Sequence, residues 1–530
     1  MSRSAMQRDE MMSLDVVHPN AAGIDIGNAA HYVAVPPDRD AEPVRTFECF
    51  TEDLNKMADW LDQCGIVTVA MQSTGVYWLP VYEILVQRGF EVFLVNARHT
   101  KNLPGRKSDV QECQWLMKLH TYGLLNNSFR PTEEICVLRT YWRQRDDHVK
   151  SASASIQRMQ KVLTEMNVQI ANVITDISGV TGMAILNAIL GGERDRYKLA
   201  QLADPRIKAS KEEIAKSLEG NWRPELLFVL RQQMQTYGAY QKRIEECDEA
   251  IEAHLLTMED KAEPGSKPQT PKGGKKAGGN APQFNLRSEL YRISGIDLTR
   301  IDGINVMIAQ TVVAEVGLDM SKWPTEAHFA SWLGLCPDNK ITGGKVYHHG
   351  SRHVENRAAT AFRMAATSLW RSKTYLGAKF KRLRTKLGAP KAITAMAHTL
   401  ARLVYRMLKY GHDYVDKGME FYQQRYQQQQ INWMQKKAKD LGFDIILTKA
   451  GGPVGPSFTV VNGALYFSAN DGIHGLELWT SDGTAEGTRL VADINPVGDS
   501  APWNLTRVGG TLFFTADDGT NGSALWKATS

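Results

Sequence analysis

Three carboxylates in this chain could work as a set. Asp25 sits in GIDIGN, inside an apolar stretch and between glycines. A carboxylate buried there needs a partner, and a metal ion is a good one. Asp109 and Glu112 are three residues apart in SDVQECQWL. If that segment is helical, the spacing puts both acids on one face, with Ser108 as the N-cap. Helical acids facing a strand acid make an oxygen-only site suited to Mg2+. Such ions activate a nucleophile and stabilise a leaving group at phosphate. Taken singly, each acid reads as a surface or capping residue; together they favour the metal reading. A fourth position raises a question. In VTVAMQSTGVYW (67–78) an apolar run opens onto a small polar loop, and the residue at its mouth is Gln72, an uncharged amide.

The elements that must hold these residues lie in residues 20–120. Candidate strands are AAGIDIG, HYVAVPP, VRTFECF, IVTVAMQ and FEVFLVN, and candidate helices are Thr51–Cys64, Leu79–Arg88 and Asp109–Tyr122. Three strands come close together, then strand and helix alternate, which predicts a mixed α/β sheet. The turn after Gln72 would start the helix at Leu79, with Tyr77 and Trp78 packing at its entry.

A chain of 530 residues suggests three or four domains. No apolar run approaches bilayer length, and MSRSAMQRDEMMSLDVVHPN has no signal-peptide core, so no membrane partner and a cytoplasmic location are expected. The six cysteines form no CxxC pair, which argues against a disulfide framework or zinc cluster. Residues 451–530 hold eight Asp/Glu and three Lys/Arg, leaving 60 basic and 50 acidic side chains, a balance of +10, on the rest. A basic body is compatible with a nucleic-acid partner and equally with solvated lysines.

Between Thr132 and Ser178 there is no Pro or Gly, and Ile156, Met159, Leu163, Met166, Ile170, Val173 and Ile177 recur at spacings of three and four. This predicts a coiled-coil arm within a helical region, 131–258; packing within the same subunit is the alternative. Residues 259–285, rich in Gly, Pro and Lys, read as a flexible basic linker. A mainly helical region follows, 286–445. Within it, IDGIN (301–305) between two helical stretches resembles a helix–hairpin–helix, placing Gly303 at DNA backbone; a plain helix turn is the alternative. KFKRLRTKLGAPK (379–391) carries Lys379, Lys381, Arg382 and Arg384 among apolar residues and could neutralise phosphates; otherwise it is a solvated helix face. His348, His349 and His353 lack companion ligands and read as surface or DNA-facing. In the tail, 457–530, LYFSANDGIHGLELW (465–479) and LFFTADDGTNGSALW (512–526) match at an offset of 47 residues, an all-β repeat. The tail resembles proteins built from the ELW-x-SDGT repeat.

GIDIGN, VAMQSTGVYW, VNARHTKNLPGRKSDVQECQWL, FASWLGLCPDNKITGGK, NRAATAFRMAA and LGAPKAITAMAHTLARLVY together resemble the DEDD transposases, RNA-bridge recombinases of the IS110 group, IS1111 branch. The likeness runs from about residue 17 to about 445 and keeps motif order. It implies a RuvC-like (RNase H fold) catalytic domain at 17–130, a coiled-coil arm and a second transposase domain. It also implies Mg2+, DNA ends and target as substrates, an element-encoded guide RNA, a homo-oligomer (dimer or tetramer), and a bacterial, nucleoid-associated protein. The family's four acids map onto Asp25, Gln72, Asp109 and Glu112. Gln72 loses the charge but keeps an oxygen, and Glu112 keeps a carboxylate on a longer stem. The family's nucleophilic serine falls on Thr342 in NKITGGK, where Gly343, Gly344 and Lys345 would let amides and charge approach a phosphate. Ser331 and Ser351 are alternative hydroxyls. Without the resemblance, TGGK reads as a simple turn.

The alternative function is a catalytically impaired DNA- and RNA-binding relic, motivated by Gln72, Glu112, Thr342 and the foreign tail. A sugar-kinase-like ATPase, suggested by GIDIG alone, lacks the second phosphate loop that such a fold needs.

Overall fold

The structure is a computed structural model that describes residues 15–73, 75–96, 108–268, 280–348, 350–352, 354–411, 418–440 and 458–529. Thr74, His349, His353 and residues 269–279 of the basic linker therefore lie outside the described residues. The chain forms two compact units, Met1–Tyr422 and Gln423–Ser530.

The first unit begins with strands β1 (Ala21–Ile26), β2 (Ala30–Ala34), β3 (Val44–Glu48), β4 (Thr68–Gln72) and β5 (Glu91–Val95), in one sheet of order β3-β2-β1-β4-β5. β2 runs antiparallel to β1 and β3, whereas β1, β4 and β5 are parallel. Helices α1 (Thr51–Gln63) and α2 (Trp78–Gln87) supply Leu54, Met57, Leu61, Val81 and Leu85 to a core with Ile24, Val33, Val69 and Met71 on one face of the sheet. Helix α3 (Asp109–Thr121) covers the other face, where Ala70 and Val95 meet Leu116, and Ala34 meets Cys113 and Met117. β4, buried at all five residues, reads as a fully covered central strand. All eight expected elements are present, each within three residues of the anticipated limits.

Helix α4 (Glu133–Glu165) then runs out, α5 (Val180–Leu190), α6 (Arg196–Gln201) and α7 (Lys211–Ser217) form a tip, and α8 (Pro224–Thr257) returns. The return is antiparallel: His254 touches Glu134 at one end, and Met159 shares a core with Leu230 and Met234 at the other. Between the ends, Arg145 donates to Asp248 at 2.5 Å and 3.2 Å, with both side chains buried. The sequence expectation needs correcting here. The helix stops at Glu165, and Asn167 takes a left-handed conformation (φ 57°). The regular seam is therefore not one helix. Met159, Leu163, Met166, Ile170 and Ile177 are buried with Ile185, Leu199 and Ile214 of the tip. The apolar spacing serves packing within this chain.

The rest of the first unit is helical: α9 (Leu286–Ser294), α10 (Val306–Val316), α11 (Glu326–Trp332), α12 (Arg357–Ser368), α13 (Tyr375–Leu387) and α14 (Ala389–Tyr410). Its core continues into the base of α4 and α8 through Leu138, Trp142, Ile251 and Leu255. A short hairpin of β6 (Lys340–Thr342) and β7 (Lys345–His348) stands between α11 and α12.

The second unit contains most of α15 (Gly418–Asp440) and the β-repeat. Strands β8 (Phe458–Val461), β9 (Ala464–Asn470), β10 (Leu476–Ser481) and β11 (Arg489–Ala492) form a four-stranded antiparallel sheet, and β12 (Trp503–Val508), β13 (Thr511–Asp517) and β14 (Ser523–Thr529) a three-stranded one. The two repeats are equivalent hairpins. Asp471 accepts from the amides of Ile473 and His474, and Asp518 from those of Thr520 and Asn521. The ELW glutamate, Glu477, is buried and accepts from the amides of Ile494 and Ser500 and from the Ser500 hydroxyl.

Candidate active site

The acidic site is built where α3 crosses the sheet. Ser108 caps α3: its hydroxyl accepts from the Gln111 amide, and the Gln111 side chain accepts from the Ser108 amide. This capping box fixes the helix start and leaves Asp109 and Glu112 in the first turn, where the helix dipole favours negative charge. The helix runs against the strand direction. Its far end is held by His120, whose Nε2 lies 2.8 Å from Thr68 Oγ1 at the beginning of β4. Burial pushes the His120 imidazole down to about 4, so it stays neutral and serves as an anchor. In mid-helix, a Cβ on Gly23 would stand 2.3 Å from both the Cys113 carbonyl oxygen and the Met117 amide nitrogen. Only glycine permits so close an approach.

Gly23 and Thr68 thus face α3. Strand residues two apart share a face, so Asp25 and Gln72 face it too. Ile24 pairs with Met71, and the next step of the register sets Asp25 beside Gln72. The helix brings its first turn over this end of the strands. The Asp25 carboxyl is accordingly pushed up from 3.8 to about 6, first by burial, then by the negative charges of Glu112 and Asp109, while the Ile26 amide acts in the opposite direction. The neighbouring Cys113 thiol is pushed up to about 12, chiefly by burial. A half-buried carboxylate whose proton affinity is raised by two neighbouring acids belongs to a donor set that a divalent cation would relieve. Their reach is looser than a closed cage. Among the described residues no three His, Cys, Asp or Glu side chains are gathered tightly enough to hold an ion as they stand. Asp109 is exposed, Glu112 and Asp25 half-buried, and Gln72 buried at 7 % exposure.

Beyond Gln72 the chain turns through Gly75 (φ 62°) into α2. Trp78 packs as expected, under the guanidinium of Arg130 and edge-on to Tyr82. Tyr77 is 48 % exposed, with its ring beside Gly75.

Thr342 is at the tip of the β6–β7 hairpin. Thr342 pairs with Lys345 across Gly343 (φ 55°) and Gly344 (φ 76°), the left-handed pair of a two-residue type I′ turn. The glycines are thus explained by the turn, and the Thr342 hydroxyl is exposed on it. Ser331 and Ser351 are also exposed; Ser351 forms a bridge with Pro337. The acids and the hydroxyl are built on separate elements: α3 packs on β1, whereas β6 pairs with β7.

The expected DNA contacts have intrachain roles. Lys379 donates to Thr399 Oγ1 at 3.2 Å and Lys381 to the Ser372 carbonyl at 3.0 Å, and Arg384 lies over the Trp370 ring at 4.0 Å. Gly303 (φ 89°) lies after a 3-10 turn at Leu298–Arg300, so only a short turn precedes α10. Its Cβ would be 2.7 Å from the Ala365 carbonyl oxygen. Packing alone requires the glycine. Sequence reasoning missed Gly23 and Trp370; a glycine in mid-strand was the available signal for the first.

Residues 22–168 match a family model for DEDD transposases of the IS110 type, described as a transposase, so the acidic site lies in a DNA-processing enzyme. Residues 297–382 match a second, described as the transposase IS116/IS110/IS902 family, so two separate stretches of the chain are similar to transposases of the IS110 type. The first match spans Asp25, Gln72, Asp109 and Glu112; the second spans Gly303, Thr342 and Lys379–Arg382. No curated protein matches the chain. No described helix is long and apolar enough to cross a membrane.

Proposed function

We propose that the chain excises and inserts a DNA element, guided by an element-encoded RNA. Asp25, Asp109 and Glu112 are the charged metal-site residues, with the Gln72 oxygen beside them, and Thr342 is the nucleophile. The observation that carries this reading is the convergence of Glu112 and Asp109 on half-buried Asp25 at the C-terminal end of β1, expressed in its raised carboxyl. The order β3-β2-β1-β4-β5 with β2 antiparallel supports a RuvC-like (RNase H) frame. Mg2+ held by these carboxylates supplies charge stabilisation at a phosphate. Asp25 must be ionised to take part, and Glu112 and Asp109 work against that until a cation is near.

At the hairpin, the Thr342 hydroxyl attacks a phosphodiester. A bond forms from Oγ1 to phosphorus as the bond to the departing DNA oxygen breaks. The hydroxyl gives up its proton, the DNA oxygen gains one, and attack by a second DNA hydroxyl reverses the link. The two-residue turn presents the hydroxyl beside Lys345, whose charge suits a phosphate. Joining two element ends to one target needs more than one centre, so the proposal extends to a dimer or tetramer. It also assigns 17–130, 131–258, 286–445 and 457–530 as the working divisions of the chain.

The test is to trap the intermediate on nicked element-end DNA and map the modified residue. A phosphothreonine at Thr342 supports the proposal. DNA binding with no covalent adduct supports the second reading, a binding relic, which is favoured by the amide at Gln72 and the loose reach of the three acids.

A further inference from the structure

Residues 356–412 contain thirteen Lys/Arg and no Asp/Glu. The fold gathers part of this charge around one corner. A 3-10 turn at Leu369–Arg371 joins α12 to α13, and its Leu369 is buried in the core while the adjacent Trp370 is 47 % exposed. The corner is braced on both sides. Lys381 from α13 caps the carbonyl of Ser372, and the turn at Gly303 closes on Ala365 and Leu369, with the Ser368 hydroxyl 3.5 Å from the Gly303 carbonyl oxygen. Arg384 lies over the indole at 4.0 Å. Arg371 and Lys373, in and just beyond the same turn, are exposed, as is Arg382 on α13. A rigidly mounted, half-exposed indole in contact with a guanidinium, with cations in and just beyond its turn, has little use as core. It matches the platforms on which unpaired bases stack while nearby cations take the phosphates.

We propose that Trp370 and Arg384 form a stacking platform for an unpaired nucleobase in a single-stranded segment of nucleic acid. The exposed cations fit the phosphate chain, and the absence of acidic residues over 356–412 supplies the charge complementarity. Both a melted DNA strand and a guide RNA present this chemistry. The inference deepens the proposed function and rests on it for the identity of the polyanion.

The experiment measures binding of oligothymidylate, oligouridylate and a DNA duplex by the full chain, its Trp370→Ala and Trp370→Phe variants, with melting temperatures recorded. Trp370→Ala is expected to weaken single-strand binding roughly five- to hundred-fold, to leave duplex binding unchanged, and to be largely rescued by Trp370→Phe. Loss confined to the DNA or to the RNA oligomer supports the platform and names its source. Equal loss on duplex and single strand, no loss on any probe, or failure of Trp370→Phe with a lowered melting temperature overturns it. Wild-type protein that binds none of the probes contradicts the functional reading, whereas indifference to Trp370→Ala with intact binding contradicts only the platform.

Discussion

Asp25 and Gln72 stand side by side on parallel strands, one step beyond the Ile24–Met71 pair, on the face of the sheet that α3 covers. The register therefore sets position 72 beside the strand acid that Glu112 and Asp109 act on. Restoring a carboxylate by Gln72→Glu adds a like charge beside Asp25. Without divalent ions the variant should melt lower than wild type, and Mg2+ should raise its melting temperature more than it raises that of wild type. Identical Mg2+ responses in the two proteins would show that residue 72 is not a ligand.

The raised Asp25 carboxyl has a pH signature. Its pKa is about 6 in the fold against 3.8 ordinarily, so ionisation opposes folding. This contribution is favourable below 3.8 and is lost as pH rises through 6. Asp25→Asn should then stabilise the metal-free protein at pH above 7, by about 1–2 kcal/mol once solvent screening of a half-buried group is allowed for. The gain should fade as pH drops to the ordinary carboxylate range. Paired denaturant titrations across that range give the answer. A variant less stable than wild type at neutral pH would show that Asp25 makes a favourable bond instead.

Gly23 sets the depth at which α3 lies. Gly23→Ala would drive a methyl into the Cys113 carbonyl and the Met117 amide, both backbone atoms that cannot rotate away. We expect a loss of about 3 kcal/mol or more, together with displacement of Glu112 from Asp25. A fall in melting temperature, accompanied by weaker Mg2+ stabilisation in the surviving folded protein, would bear this out. Full tolerance would mean that helix and strand are farther apart than described.

The α4–α8 pair holds one buried ion pair between its two apolar ends, Arg145 with Asp248. Asp248→Ala should cost about 3–5 kcal/mol because it strands a buried guanidinium. Replacing both partners with Met and Leu should restore most of that stability. A double variant no better than the single one would point to a further role for the charge.

Much of the α/β sheet region was legible in the sequence because its signals are local. Strand alternation, the Ser108–Gln111 cap and the spacing of Asp109 and Glu112 each act within a few residues. The equivalence of the two tail hairpins was legible too, since the Asp-Gly turns carry it. What the sequence hid depends on contacts between distant segments. The seam from Ile156 to Ile177 has the spacing of a coiled coil, yet its partner is the chain's own tip, and nothing local marks the break at Asn167. Lys379, Lys381 and Arg384 read as phosphate ligands or a solvated face, and their contacts with Thr399, Ser372 and Trp370 are not visible in the sequence. Gly303 looked like a DNA-facing amide, and the close approach of α12 explains it without DNA.

The central claim is that the end of β1 under α3 is the metal-dependent centre of DNA transfer. Its most direct test is excision of a marked element in cells expressing wild type or Asp25→Ala at equal levels, with the purified variant shown to be folded. The account requires excision to be abolished by Asp25→Ala. Excision at the wild-type rate in the folded variant would contradict it.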